Sequence, residues 1–206
     1  MSIYNKTQKK LKIICVLEAR MNSSRLPGKV LKKLYNTSIL EILIDRLKNV
    51  NLVDKIVVST SRNSMDSKII KFCKNKKIDF FRGSEENVLE RTFRTAIKYK
   101  PRMIIRLTCD NPFLDPEMLN YMIVFFLNRY KKIDYLCNNG LGNFQKRSVP
   151  FGLDIQIYKM SSFRKLYNLV MNTKNNNEYL EHPPLFFYTK GRKKFRNFNI
   201  KLPSKF

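Results

Sequence analysis

Histidine is almost absent from this chain, with His182 the single instance in 206 residues. A His-based zinc site or a Ser-His-Asp triad therefore has little to be built from. Cys15, Cys73, Cys109 and Cys137 occur without any C-x-x-C spacing and read as small apolar core residues of a reducing compartment. No Walker A spacing is present, so a P-loop ATPase is not indicated. Long hydrophobic runs are missing too. Residues 121–127 are too short to span a bilayer, and the apolar run 13–17 meets Glu18 and Arg20 at once, which is no signal-peptide core. The expectation is a soluble, cytoplasmic protein. No repeat and no linker divides the chain, which predicts a single domain over 1–206 with a basic N-terminal arm, 1–11, and a basic C-terminal segment, 190–206.

Acidic residues are also scarce: 16 Asp and Glu face 41 Lys and Arg, for a net charge of +25. A surplus of that size raises the question of a nucleic-acid or membrane partner. Its distribution argues for restraint. Residues 1–12 and 190–206 together supply eleven of the surplus charges, and the rest is scattered in Lys- and Asn-rich runs such as 74–77 and 174–177. A biased surface vocabulary and a dedicated polyanion surface both fit this pattern. Phe195 and Phe198 interleave with the terminal cations, but no RNA- or DNA-binding motif accompanies them, so nucleic acid ranks last among the partners considered.

What is present is an alternation of strand-like and helix-like segments. Residues 13–17, 55–60, 78–81 and 103–107 read as buried strands. Between them lie helical patterns at 39–47, opened by the capping-box sequence Ser38-Ile-Leu-Glu41, at 67–76 with Asp66 as its cap, and at 85–99. This order argues a three-layer α/β/α arrangement around a mostly parallel sheet. In the second half, Asp115-Pro116 starts a helix to about residue 130 and 133–137 makes a short strand. Residues 152–158 alternate as an exposed or edge strand would, and 161–171 and 178–182 are helical, broken by Pro183-Pro184.

The loop after the first strand, Glu18-Ala-Arg-Met-Asn-Ser-Ser-Arg-Leu-Pro-Gly-Lys-Val-Leu31, carries Arg20, Arg25 and Lys29 to the sheet's carboxyl edge, where open α/β sheets bind ligands. Ser23 and Ser24 add hydroxyl donors. Asn22 and Gly28 tolerate φ > 0 and would turn backbone N–H groups toward an anion. Polyphosphate binding and an ordinary basic loop closed by a Pro-Gly turn both remain open. Asp110 follows the fourth strand and shares that edge. A carboxylate beside a polyphosphate serves as a ligand for Mg²⁺, and Asp110-Asn-Pro112 is equally good turn chemistry.

Four ordered segments then carry a likeness. The loop sequence from Ala19 to Leu31, Phe81-Arg-Gly-Ser-Glu-Glu-Asn-Val-Leu-Glu-Arg91, Arg106-Leu-Thr-Cys-Asp-Asn-Pro112 and Gly152-Leu-Asp-Ile-Gln156 resemble the CMP-sugar cytidylyltransferases. The spore-coat-polysaccharide type is the nearest, and the CMP-2-keto-3-deoxyoctonate and CMP-acylneuraminate synthetases are further relatives. The likeness spans about 12–190 and implies a nucleotide-diphospho-sugar transferase (Rossmann-like) fold. The implied reaction moves CMP from CTP to a sugar acid, with Mg²⁺ as cofactor and release of pyrophosphate.

On matching positions the resemblance implies that Ala19, Arg20, Asn22, Ser23, Ser24, Arg25, Lys29, Arg82, Gly83 and Thr108 hold the nucleotide. Arg20, Lys29 and Asp110 would be the catalytic set. Asp110 and Asp154 would hold the metal, and Asp154, Gln156 and His182 would face the sugar. Asp154 reads equally well as the anchor of an edge-strand turn, and His182 as a packing or capping residue. The chain departs from the pattern at Asn22 and Cys109, where the family usually has Gly, and at Gln156, where it has an acid. A later strand and helix with a second metal-binding aspartate are not matched. A catalytically impaired nucleotide- or partner-binding module is therefore the alternative function. Homodimerisation, which relatives achieve through an extension in this half, is left open.

Overall fold

The computed structural model describes residues 12–23, 26–147, 149–203 and 206. The expectations for Ser24, Arg25 and the arm 1–11 lie outside the described residues.

In chain order the elements are β1 (Ile13–Glu18), β2 (Lys33–Leu34), β3 (Thr37–Ser38), α1 (Ile39–Lys48), β4 (Lys55–Ser61), α2 (Ser67–Asn75), β5 (Asp79–Gly83) and α3 (Val88–Tyr99). They continue through β6 (Met103–Thr108), α4 (Pro116–Asn128), β7 (Tyr135–Cys137), β8 (Gln156–Lys159), α5 (Met160–Met171), α6 (Asn177–Glu181), α7 (Pro184–Tyr188) and β9 (Asn197–Asn199). Seven strands form one sheet in the order β5-β4-β1-β6-β8-β7-β9, and β2 with β3 makes a separate small hairpin. Within the large sheet β8 alone runs antiparallel to its neighbours, β6 and β7.

Strand alternation explains the layers. On β1, Ile13, Cys15 and Leu17 join one core with Leu43 and Leu47 of α1, Ile69 of α2 and Met122 of α4. Ile14 and Val16 face the other core, with Leu89 and Phe93 of α3, Phe163 of α5 and Phe187 of α7. Both faces of the central strands are thus covered, as their unbroken apolar sequence requires. Each large side chain buried here stabilises the fold by about 1.5–3 kcal/mol. All four cysteines are free and buried, and burial pushes their thiols up, Cys73 to about 12. That fits inert core residues.

The helix starts follow their sequence signals in part. Ser38 Oγ accepts from the Glu41 amide, and Asp115 Oδ1 accepts from Glu117 and Met118 amides under Pro116. The Glu41 carboxylate does not return to Ser38, however, and pairs with Lys76 instead. Asp66 is not a capping side chain at all. It is buried, and its carboxylate accepts from the Met21 amide at 2.7 Å, the Ser61 amide and the Thr60 and Ser61 hydroxyls. A buried carboxylate must collect such donors or lose its charge, and collecting them ties the loop after β1 to the end of β4.

Two further expectations are corrected. The segment around 152–158 contributes an interior strand, β8, whose four residues are all buried. Its polar members look solvent-facing in sequence because Gln156 and Lys159 find internal partners, Arg106 and Asp134. Pro183-Pro184 ends one helix and opens another, since Pro184 occupies the first turn of α7, where its missing N–H costs nothing.

Candidate functional site

The loops leaving β1 and β6 meet at the carboxyl edge of the sheet, as the register pairing Glu18 with Thr108 dictates. Between them lies a crevice lined by Ala19, Arg20, Ser23, Lys29, Thr108, Asp110 and His182, all singled out in the sequence, together with Glu18, Arg91, Arg106 and Glu181. Lys29 Nζ reaches Asp110 Oδ2 at 2.6 Å, and Arg20 lies 3.7 Å from Glu181. Burial pushes the Asp110 carboxyl up, but the bond from Lys29 and that of Thr108 more than reverse it, leaving its pKa below the ordinary carboxylate value.

Below these pairs sits a buried frame. Arg106 donates from Nε and Nη2 to the two oxygens of Glu18 and from Nη1 to Gln156 Oε1. Thr92 adds a hydroxyl to Glu18 at 2.7 Å. Desolvation alone would lower the pKa of the Arg106 guanidinium, but the Glu18 carboxylate outweighs it and raises it. The bidentate pair is geometrically strong and fixes the crevice floor. An arginine inside the apolar run Met-Ile-Ile-Arg-Leu was the sequence signal for it, since a buried cation needs a partner.

Arg91 is a crevice residue that sequence reasoning did not single out. Its side chain is 2% exposed; Nη1 donates to the carbonyls of Ser84 and Glu85, and Nε is buried without a partner. No carboxylate pairs with it among the described residues, and desolvation pulls its pKa down, with Glu18 offsetting only part. The signal was available, because Arg91 ends the quoted segment 81–91. Gly83 belongs to the same packing: a Cβ there would stand 2.8 Å from Arg91 Cγ.

Several expected site residues are elsewhere. Arg82 lies in β5 and donates to the carbonyls of Ser61 and Asn63, outside the crevice lining. Gly83 is likewise in β5 and shapes the crevice only through Arg91. Asn22 lines an adjoining hollow with Arg20, Ser84 and Asn87 and donates to Glu85 at 3.2 Å. It does not adopt positive φ; Gly28 does, and its amide closes on the Met21 carbonyl rather than facing an anion. The backbone nest is therefore not formed by that pair. Asp154 is bound to Arg147 at 2.5 Å and is absent from the crevice lining. Gln156 is buried beneath Arg106 and also accepts from the Tyr158 hydroxyl, so it braces the floor instead of facing a ligand. Because β8 runs antiparallel to β6, Asp154 sits toward the same edge as Thr108, and it is the bond to Arg147 that holds it away from the crevice.

As a metal donor set, the described crevice residues offer the Asp110 carboxylate, since Glu18 and Glu181 are turned to Arg106 and Arg20, and no cluster of three His, Cys, Asp or Glu that could hold a metal occurs among the described residues. That suits an ion such as Mg²⁺, which retains waters and is bound by one or two carboxylates plus substrate phosphates.

Comparison with known proteins agrees with this architecture. The family model described as Cytidylyltransferase matches residues 14–199. The spore coat polysaccharide biosynthesis protein SpsF of Bacillus subtilis is 40% identical over 134 residues, 63% of this chain and 56% of that protein. The chain spans no more than about 60% of the length of the first curated relatives it matches. A cytidylyltransferase structure from Leptospira borgpetersenii aligns with a TM-score of 0.83 at 30% identity, covering 93% of this chain and 76% of the other. A CMP:2-keto-3-deoxy-manno-octonic acid synthetase complexed with CTP shares the fold, with a TM-score of 0.66 at 15% identity, over 92% of this chain and 90% of that one. The sheet is that of the Rossmann-like nucleotide-diphospho-sugar transferases, and the chain belongs to the cytidylyltransferase family.

Proposed function

We propose that the protein transfers CMP from CTP to a sugar acid, releasing pyrophosphate, in the making of surface polysaccharide. The observation that carries this reading is the convergence of Arg20, Lys29, Arg91 and Asp110 on one crevice at the sheet's carboxyl edge. An acceptor hydroxyl would attack the α-phosphorus in line, its proton passing to solvent, as the bond from the α-phosphorus to the oxygen bridging to the β-phosphate breaks and pyrophosphate leaves with that electron pair. Negative charge then grows on the leaving pyrophosphate. Lys29 and Arg20, released from Asp110 and Glu181, meet that charge where it develops. Arg91 stays fixed by its two carbonyl bonds and contributes an immobile cation. Ala19, Ser23 and Thr108 border the nucleotide, and His182 lies where the acceptor approaches.

Asp110 is the residue that would hold Mg²⁺, which when bound neutralises phosphate charge and aligns the triphosphate. Lys29 keeps this carboxylate ionised and oriented in the ligand-free protein. No covalent protein nucleophile enters, in keeping with a chain that lacks a triad. Support for the acceptor class comes from the likeness to SpsF and to the octulosonate enzymes. Incubation with CTP, Mg²⁺ and a panel of nonulosonic and 2-keto-3-deoxy sugars should release pyrophosphate with at least one acceptor. Absence of release with every acceptor, together with absence of CTP binding, rejects the reading.

The other crevice carboxylates, Glu18 and Glu181, are turned to Arg106 and Arg20, and with no cluster of three metal-binding side chains among the described residues this favours one competitor, a nucleotide-binding module without turnover. CTP binding that ignores Mg²⁺, with no pyrophosphate formed, would identify it.

A further inference from the structure

Beyond β8, the loops following β7 and β9 enclose a second recess of about 960 Å³, which shares no lining residue with the crevice. That volume lies in the range of small-molecule sites. Its wall carries Lys146, Arg147, Arg192, Arg196 and Lys201 and no acid. Two of these are already engaged: Arg147 with Asp154, and Arg196 with Asp134. Lys146, Arg192 and Lys201 have no anionic partner among the described residues. Three cations held around one hollow repel each other, and an anion entering it removes that repulsion.

The recess is also framed in advance. Asn199 Oδ1 accepts from the Gly140 amide at 2.7 Å and its Nδ2 donates to the Lys146 carbonyl at 3.0 Å, fastening the 138–147 loop to β9. Gly142 has φ +81, and a Cβ there would meet the Tyr188 ring at 2.7 Å, so the loop lies directly on that ring. Two buried polar atoms of wall residues lack hydrogen-bond partners among the described residues, Asn197 Oδ1 and Arg147 Nε. Asn197 Nδ2 is committed to the Phe187 carbonyl, which fixes the amide oxygen as an acceptor in need of a hydroxyl donor. The Arg147 side chain is 10% exposed, and its Nε needs an acceptor.

We propose that this recess is a second ligand site, specific for a sugar phosphate. The phosphate dianion answers Lys146, Arg192 and Lys201, while the sugar hydroxyls answer Asn197 and Arg147. A carboxylate monoanion leaves more of the cationic wall unmatched, and inorganic phosphate held at the three cations brings no sugar hydroxyls to Asn197 and Arg147. The site stands on its own residues and holds whether or not the crevice transfers CMP.

Calorimetric titration of the full chain, with the crevice saturated by CTP, tests it with glucose 6-phosphate and ribose 5-phosphate as probes. Inorganic phosphate, gluconate and glucose are the comparison ligands. Saturable binding of at least one sugar phosphate is expected, at least tenfold tighter than phosphate or gluconate. The double variant Arg192→Gln/Lys201→Gln should weaken it at least tenfold, and the charge-matched Lys68→Gln/Lys71→Gln on α2 should leave it within twofold. No saturable binding of either probe overturns the proposal. So do equal binding of inorganic phosphate, an unchanged affinity in the recess variant, or an equal loss in the α2 variant, which would mean net charge alone is responsible.

Discussion

The crevice between β1 and β6 and the recess beyond β8 are both rich in cations, yet they hold them differently. In the crevice Arg106 is locked to Glu18, Lys29 to Asp110, and Arg20 stands near Glu181, so among the described residues three of the four lining cations have a carboxylate partner and Arg91 has none. In the recess Lys146, Arg192 and Lys201 have no acidic partner among the described residues. The difference teaches that net charge says little about a site's readiness. Paired cations are oriented before any ligand arrives, while unpaired ones attract anions at range.

The sharpest way to break the comparison is to remove one member of the buried pair. Glu18→Ala leaves Arg106 charged and uncompensated under the crevice and should cost about 3–5 kcal/mol of stability in denaturant unfolding. A loss under about 1 kcal/mol would mean the frame is not structural. Next in size, Lys29→Ala should weaken CTP by roughly 1.5–3 kcal/mol, the range for a hydrogen bond to a charged group, with the fold intact by circular dichroism. Unchanged affinity would return that loop to ordinary surface.

A third test uses pH at the outer end of the sheet. Burial pushes the Asp134 carboxyl up, but bonds from Arg196 and Ser162 and the nearby Lys159 hold it well below the ordinary carboxylate range. A depressed folded-state pKa contributes stability that is present above the unfolded value, about 3.9, and lost as pH falls from there through the folded value. Asp134→Asn should therefore flatten the fall in melting temperature below about pH 4. An undiminished acid fall in the variant would assign it to other groups. The smallest effect belongs to the recess: Arg192→Gln should change stability by no more than about 0.5 kcal/mol, as for other exposed positions. A larger loss would show that the recess cations are structural.

The same two regions mark how far sequence carried the reading. Strands β1, β4 and β6 were legible because burial on both faces leaves an unbroken apolar record, and Lys29 and Asp110 because loops at the carboxyl edge must converge. What stayed hidden depended on partners distant in the chain. Asp66 looked like a helix cap, and its actual donors are the Met21 amide and the groups at the end of β4. Arg82 and Gln156 looked like ligand contacts, but the carbonyls of Ser61 and Asn63 and the guanidinium of Arg106 claim them. β8 was mistaken for an edge because polar residues satisfied inside a sheet alternate just as solvated ones do. The recess was invisible for a related reason. Its cations come from the 138–147 loop and the 190–206 segment, and only the pairing of β7 with β9 brings them together.

The central claim is that the crevice takes a nucleoside triphosphate with Asp110 as the metal-holding carboxylate. Calorimetric titration of CTP, with and without Mg²⁺, into the native chain and Asp110→Asn tests it most directly. The account predicts that Mg²⁺ tightens CTP binding at least tenfold in the native chain and that Asp110→Asn abolishes this gain while remaining folded. CTP affinity indifferent to Mg²⁺, or a full Mg²⁺ gain surviving in Asp110→Asn, would contradict it.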